Sequence, residues 1–439
     1  VIHLVITAQI MGQFKQASSA LTTIVEQHLQ RIAPTLSYAK AQDNNHGTSE
    51  AAALLIGALF LKANANHKQY DKWILDGQKL LENRVCRLID VDGNFSQNSV
   101  NYHRLMLDTL SVAEYFREKT SHKKFSALFY QKAKLATLWL RNLVNETNGH
   151  VPNFGLNDGA NLLPLTNSDY RDYRPSVQFA TLMFLDTLTY PNHACTTQLS
   201  ALLAIAPKNS KDQEDTWPLK GGQYYQTGLL KISNSNFSAY LRVHDRKFRP
   251  SACDALHLDL WCGDQNIFIG TGSYSYNSED SLKDYFNSTE AHNTVQFDGQ
   301  QQMPKLSRFL YGDWLKCSHH QEEYFLSASY KNNKGHQHDR KIILHSEHEI
   351  SVSDEISGFI NKAQLRWHLS DKTWQLNGNR LSLRDFEIEL NCDQGALSIS
   401  LVDGWSSYYY AEKRSCAVLV AEVNQPCTIT TKITRHICA

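Results

Sequence analysis

The sequence predicts an α+β chain in two successive parts, helical first and antiparallel β second. Apolar residues recur at helical spacing up to about residue 205. Beyond that point they alternate with period two, between Gly, Asn and Asp turn signals. The changeover itself, "IAPKNSKDQEDTWP", is polar and carries two prolines, as a linker does. At 439 residues the chain is also too long for one ordinary core. The expected division is 1–205 helical and 206–439 β.

In the first part, Leu21, Ile24, Val25, Leu29 and Ile32 form one stripe that Pro34 interrupts. "TSEAAALLIGALFLKA" opens with Thr48 and Ser49, a pair able to cap, and continues as a strongly apolar helix. Further helical patterns cover about 68–88, 100–117, 123–145, 174–189 and 194–205. The loops between them hold the unusual polar strings "AQDNNHG", "DVDGNFSQNSVNYH" and "NFGLNDGANLLPLTNSDYRDYRP". Such alternation predicts antiparallel helical hairpins with loops gathered at one end. In the second part "NFSAYLRVHD", "ALHLDLWCG", "NIFIGTGSYSYN", "HEISVSDEISG", "GALSISLVDG" and "CAVLVAEV" read as strands of a sandwich or stacked-sheet domain.

Lysine plus arginine equals aspartate plus glutamate at 44 each, so no global field recruits nucleic acid or anionic lipid. Nineteen histidines with 18 Phe, 20 Tyr and 8 Trp suit a polar, stacking-rich cleft such as a carbohydrate site. The nine cysteines are dispersed without a CxxC pair, which excludes zinc ribbons and thioredoxin motifs. The longest apolar stretches are too short for a membrane span. "VIHLVITAQIMGQF" lacks the charged start of a signal peptide.

Three strings, in this order, carry a resemblance: "NNHGTSEAAAL" at 44–54, "GNFSQNSVNYHR" at 93–104 and "NSTEAHNTVQFDGQQQ" at 287–302. Together they resemble the heparinase II/III-like polysaccharide lyases, over essentially the whole chain. "NDGANLLPL" and "RPSACDALHLDLW" look nearest to members associated with bacterial exopolysaccharide and capsule systems. The resemblance implies an incomplete (α/α) toroid followed by an antiparallel β-sheet domain. It also implies β-elimination at a uronic acid in an acidic polysaccharide, handled in the periplasm or outside the cell.

That reaction removes the C5 proton and breaks the C4–O bond, placing a second negative charge beside the uronate carboxylate. Amide, imidazole or guanidinium donors must hold that charge, and an acid and a base must sit on the correct faces of the sugar. By resemblance Asn45 grips the carboxylate, while His46 either neutralises it or acts as base. Tyr102 matches the tyrosine that protonates the leaving oxygen and, for some substrates, abstracts the proton. An unperturbed phenol has a pKa of about 10, so a tyrosine base needs nearby positive charge; His103, Arg104 and Arg249 are the candidates. His292, in the third string, is the catalytic candidate of the β part, expected to approach the cleft opposite Asn45, His46 and Tyr102.

No cofactor is required, and the family's zinc site fits poorly. Where relatives show His-x-His-x-Asp this chain has Ser251, Cys253 and Asp254, and Gly270 stands at the usual Asp before the turn. Only His292 and a cysteine remain of the expected set, and three protein ligands are the usual minimum. No metal site is therefore expected. Asn157, Asp158, Tyr173 and Arg174 are candidate saccharide contacts, although turn duty or a helix start explains the same residues. His257, among alternating leucines, is a substrate contact or a structural histidine. Tyr102 read without the resemblance is an aromatic at a helix start. Two rival functions remain. A glycoside hydrolase needs paired carboxylates, for which Glu50, Asp108, Asp158, Asp169 and Asp172 are present. A catalytically inactive carbohydrate-binding protein of polysaccharide assembly accommodates Ser251 and the missing metal ligands. The oligomeric state is not encoded in any feature of the sequence.

Overall fold

In the computed structural model the described residues are 1–207, 228–244, 248–307, 309–370 and 373–436. Most of the expected linker, from 208 to 216, lies outside them. The chain divides into two compact units, Val1–Val151 with Ala160–Thr216, and Pro152–Gly159 with Trp217–Ala439. The stretch 152–159, read from sequence as part of the helical half, thus belongs with the β unit. Asn153 fastens it there by donating to the Gly270 and Ser407 carbonyls.

The helical unit is built around Asn45–Asn64 and Val100–Lys119, two helices buried nearly all round. Amphipathic helices Ser19–Ile32, Lys68–Leu88 and Ala127–Leu143 turn one apolar stripe to this core and a charged face outward. Arg174–Phe184 and Ala194–Leu203 follow. The expected spans hold within a turn, with two differences. The pattern drawn over 123–145 starts only at Ala127, because Ser126 caps it by accepting the Phe129 N–H. The pattern over 174–189 stops at Phe184.

The β unit holds two eight-stranded antiparallel sheets. The first runs Leu229–Ser233, Phe237–Arg242, Leu258–Cys262, Gln265–Phe268, Ala363–Leu369, Arg414–Val423, Ser398–Ser406, with Val295–Phe297 also paired to Ala363–Leu369. The second runs Gln375–Asn377, Arg380–Leu383, Phe386–Cys392, Cys427–Arg435, Glu349–Ser357, Gln337–Ser346, Phe325–Lys331, Ser318–Gln321. Trp367 joins the layers: its ring stacks on Phe268 at 4.3 Å and its Nε1 donates to Thr431 Oγ1 at 3.2 Å. Strand Glu349–Ser357 shows the expected alternation, with Ile350, Val352 and Ile356 inward.

Asp354 also points inward. Burial raises its carboxyl, but Arg340 (2.6 Å) and His338 (2.7 Å) more than offset this and hold it below the usual range. Arg340 donates onward to the Leu256 and Asn293 carbonyls. Several elements were not read from sequence, among them helices Ile2–Ile10, Leu36–Ala41 and, inside the β half, Asp280–Asn287, and strands Ala363–Leu369 and Cys427–Arg435. Among the described residues no helix is long and apolar enough to cross a membrane.

Candidate functional site

Asn45 sits at the first turn of its helix on a clamped loop. Asp43 accepts from Arg84 at 2.7 Å and Arg87 at 2.6 Å, both on helix Lys68–Leu88. The Arg87 hydrogen bond leads the effects that lower the Asp43 carboxyl. Gly47 makes room for this, since a Cβ there would lie 2.9 Å from Arg84 Cδ. The cap is Asn44, whose Oδ1 accepts the His46 N–H at 3.0 Å. The helix therefore begins three residues before Thr48, the first of the pair read as its cap. The Asn45 N–H is satisfied from another segment: Gln97 Oε1 accepts it at 2.7 Å. Ser96 Oγ likewise donates to the Asp43 carbonyl at 3.4 Å.

Gln97 belongs to the second resemblance string, and two residues on Ser99 caps Val100–Lys119 by accepting the Tyr102 N–H at 3.2 Å. The first and second strings are thus bound together, with Asn45 and Tyr102 each on the opening turn of a capped helix. His46 is exposed, Asn45 half-buried, and Tyr102 only 7 % exposed.

The two residues after Tyr102 correct the sequence reading. His103 is fully enclosed, stacked on Trp139 at 4.4 Å, with Nε2 on the Ala136 carbonyl. Burial pushes its imidazole down to about 4, so it is neutral and contributes neither a saccharide contact nor a positive charge. Arg104 is also buried, its guanidinium held between the Tyr170 and Tyr173 rings at 4.3 Å from each. It donates to Asn101 Oδ1 and the Tyr170 and Ala160 carbonyls. Tyr173 is consequently a packing surface for Arg104 rather than a sugar platform. Arg174 is clasped by Asp172 at 2.9 Å. Asp108 is buried near Arg104 and Ser176; burial outweighs both and raises its carboxyl to about 7.

In the β unit a buried polar seam surrounds His292. Arg242 and His244 project from the same face of one chain segment, and both meet Asp254, at 3.4 and 2.7 Å. Burial raises the Asp254 carboxyl, but the Arg242 guanidinium and then the His244 hydrogen bond hold it well below the carboxylate range. His292 Nδ1 lies 2.6 Å from the Ser288 carbonyl, which can only accept, so Nδ1 carries the proton and Nε2 the lone pair. His257 is the converse. Its Nδ1 accepts the Asn293 N–H at 2.8 Å, which leaves the proton on Nε2, and that atom has no hydrogen-bond partner among the described residues. The two rings meet edge to face at 5.4 Å. Burial lowers both pKa values, so the pair is neutral at pH 7 and offers one donor beside one acceptor. Asn293 completes the seam: Nδ2 donates to the Leu258 and Ile269 carbonyls, and Oδ1 accepts from His368.

His257 does not lie on a strand, as its leucine neighbours implied. Leu256 has a φ of 56° and the strand starts at Leu258. Phe154 packs on the His257 ring at 5.3 Å, and this stretch explains Asn157 and Asp158. Asn157 is used up in a turn, its N–H on Ser273 Oγ and its Oδ1 accepting from Gly159. Asp158 is half-buried in the same turn, and Arg249 is exposed.

The same stretch decides the metal question for the family's ligand positions. A Cβ on Gly270 would lie 2.5 Å from the Asn153 carbonyl, so no side chain fits there. Asp254 is engaged by Arg242 and His244, while the Cys253 thiol donates to the Met303 carbonyl. Burial pushes that thiol up to about 12. These positions do not form a zinc site, and no chemical step is drawn through one.

Sequence reasoning passed over Gln97, Arg242, His244 and Asn293. Gln97 and Asn293 lay inside quoted strings, and the i, i+2 spacing of Arg242 and His244 was a legible sign that they share a face.

A two-sheet unit preceded in the chain by a helical unit has known counterparts. The family model described as "Heparinase II/III-like, C-terminal" matches residues 223–434. Residues 223–434 are therefore similar to that C-terminal domain. A crystal structure of heparinase III aligns with a TM-score of 0.73 at 16 % identity, covering 99 % of this chain and 68 % of that one. A heparinase III with methylated lysines gives 0.73 at 15 % identity, covering 93 % of this chain. Heparan sulfate lyase HepC from Pedobacter heparinus gives 0.66 at 16 % identity, covering 96 % and 66 %. At these identities the likeness is one of fold, extending over both the helical and the β part. The chain spans only 61 % of the length of the methylated heparinase III. No curated protein sequence matches it.

Proposed function

We propose that this chain is a polysaccharide lyase that cleaves a uronate-containing acidic polysaccharide, of the bacterial exopolysaccharide or capsular kind, by β-elimination. The observation that carries the proposal is the joining of the Asn45 turn to the segment leading into Tyr102 through Gln97 and Ser96. Asn45 grips the uronate carboxylate, and exposed His46 adds to its neutralisation or serves as base. Tyr102 transfers the proton to the leaving C4 oxygen. His257 and His292 give the β unit a neutral donor and acceptor of its own. No cofactor enters this scheme, and a polymeric substrate of this class places the reaction in the periplasm or outside the cell.

Two of the carboxylates that a hydrolase would pair are poorly placed for it. Asp108 is buried and Asp172 is tied to Arg174. Incubation with heparan sulfate, alginate and glucuronate-rich bacterial polysaccharides tests the reading. New ultraviolet absorbance from the unsaturated uronate is expected. Reducing ends without absorbance would mean hydrolysis, and retention without cleavage would mean a binding protein.

A further inference from the structure

Metal-type donors converge at one end of the second sheet, away from the seam around His292 in sequence and in strand order. Strand Phe386–Cys392 runs antiparallel to Cys427–Arg435 in a register that sets Cys392 opposite Ile429. Cys427, two residues from Ile429, therefore shares the face of Cys392. Past the strand the chain turns, and the turn is pinned: the Asp393 N–H donates to the Thr428 carbonyl, and the Thr428 N–H returns to Asp393 Oδ1 at 2.8 Å. Gly395, at φ 78°, lets this turn close on Gln425, whose side chain lies 2.9 Å from where a Cβ would stand.

The result is that both sulfurs and an Asp393 carboxylate oxygen lie within 4.8 Å of one another. No other group of His, Cys, Asp or Glu among the described residues meets that spacing. A tetrahedral ion with sulfur at about 2.3 Å and oxygen at about 2.1 Å spaces its ligands roughly 3.5–3.8 Å apart. Small side-chain rotations close the difference. The donors also grade from core to water: Cys427 is buried, Cys392 half-buried and Asp393 exposed, which leaves a side open for a water ligand.

We propose that Cys392, Asp393 and Cys427 form a binding site for a thiolate-preferring divalent cation, zinc or cadmium, with water as fourth ligand. Two thiolates with one carboxylate select such an ion over magnesium or calcium. The Cys392 thiol donates to the Gln394 carbonyl. Binding therefore converts two S–H groups and M²⁺ into two metal–sulfur bonds and two released protons, with no redox change. The ion fastens the Asp393 turn to the start of strand Cys427–Arg435, so its role is to hold the end of the sheet.

The test uses the full chain, reduced and stripped with chelator, titrated with Cd²⁺ and followed by thiolate-to-metal absorbance. Zn²⁺ is titrated in parallel against a chromophoric chelator. One ion per chain is expected, bound more tightly as pH rises because thiolates are the ligands. Cys392→Ser and Cys427→Ser should abolish the signal. Asp393→Asn, which keeps the Oδ1 acceptor of the Thr428 N–H, should weaken binding about tenfold or more. Absence of the signal in wild type overturns the proposal, as does a signal unaffected by these three substitutions. A Cys392–Cys427 disulfide that re-forms in air in preference to taking up cadmium also overturns it, and marks the pair as a redox couple instead.

Discussion

Asn45 and Tyr102 stand on the first turns of two capped helices, where Gln97 Oε1 and Ser99 Oγ accept their backbone N–H groups. His257 and His292 stand in a buried seam where Asn293, Asp254, Arg242 and His244 fix ring orientation and protonation. In the helical unit Asn45 and His46 stand near solvent at a helix start whose N–H groups need partners in any case, while His103, Arg104 and Asp108 behind Tyr102 are buried. The β unit draws its polar groups inside, where each must be satisfied and charges must be paired. Substitutions in the first region should therefore change rate while sparing stability, and substitutions in the second should change stability first.

The largest effect is expected from Tyr102→Phe, which keeps the ring and deletes the hydroxyl. Formation of unsaturated product should fall by roughly two to four orders of magnitude, with an unchanged melting temperature. Near wild-type turnover would remove Tyr102 from the reaction and leave His46 as the base. Asp354→Asn is the contrasting case. It leaves Arg340 buried without its counter-charge, so urea unfolding should show a loss of about 3–5 kcal/mol. A loss under 1 kcal/mol would mean that the two regions are not held in different ways.

Asn45→Ala should lower turnover about a hundredfold, because one charge-stabilising donor is gone. Its stability should change by less than about 1 kcal/mol, since the Gln97 bond is to the Asn45 backbone. The smallest effects separate the regions by pH. Asp108 is raised to about 7 in the fold, so its stability contribution is complete below its ordinary value and is lost as pH rises through 7. Asp108→Asn should relieve that loss, by about 1–3 kcal/mol at pH 8. His257 and His292 lie below 6.5, so the unfolded chain binds their protons more readily and stability falls as pH drops beneath 6.5. His257→Gln should flatten this acid limb by about 1 kcal/mol and leave the alkaline limb alone. Thermal melts from pH 5 to 9 on both variants would sink the contrast if the two limbs moved together.

Helix Lys68–Leu88 was legible to the residue because one amphipathic stripe runs its length. Asp280–Asn287 was not, since eight residues amid turn-rich chain give too little periodicity to register. In the site, Asn45 and Tyr102 came from their strings. The burial of His103 and Arg104 could not, because both follow Tyr102 in a helix whose polar side is also enclosed. Helical spacing tells which residues share a face and is silent on whether a second layer covers it.

The sequence by itself determined the two-part architecture and most helix spans, which follow from local periodicity and short-range capping, while Asn45, Tyr102 and His292 came with the strings that carry the resemblance. Only the tertiary structure decided that 152–159 joins the β unit, that Asn153 takes the space a side chain on Gly270 would need, and that His257 and His292 carry opposite tautomers. These depend on contacts between residues far apart in the chain, as from Asn153 to Gly270 and from His257 to Asn293. Burial and hydrogen-bond partners of that kind are properties of the packed whole, and no window of sequence contains both sides of them.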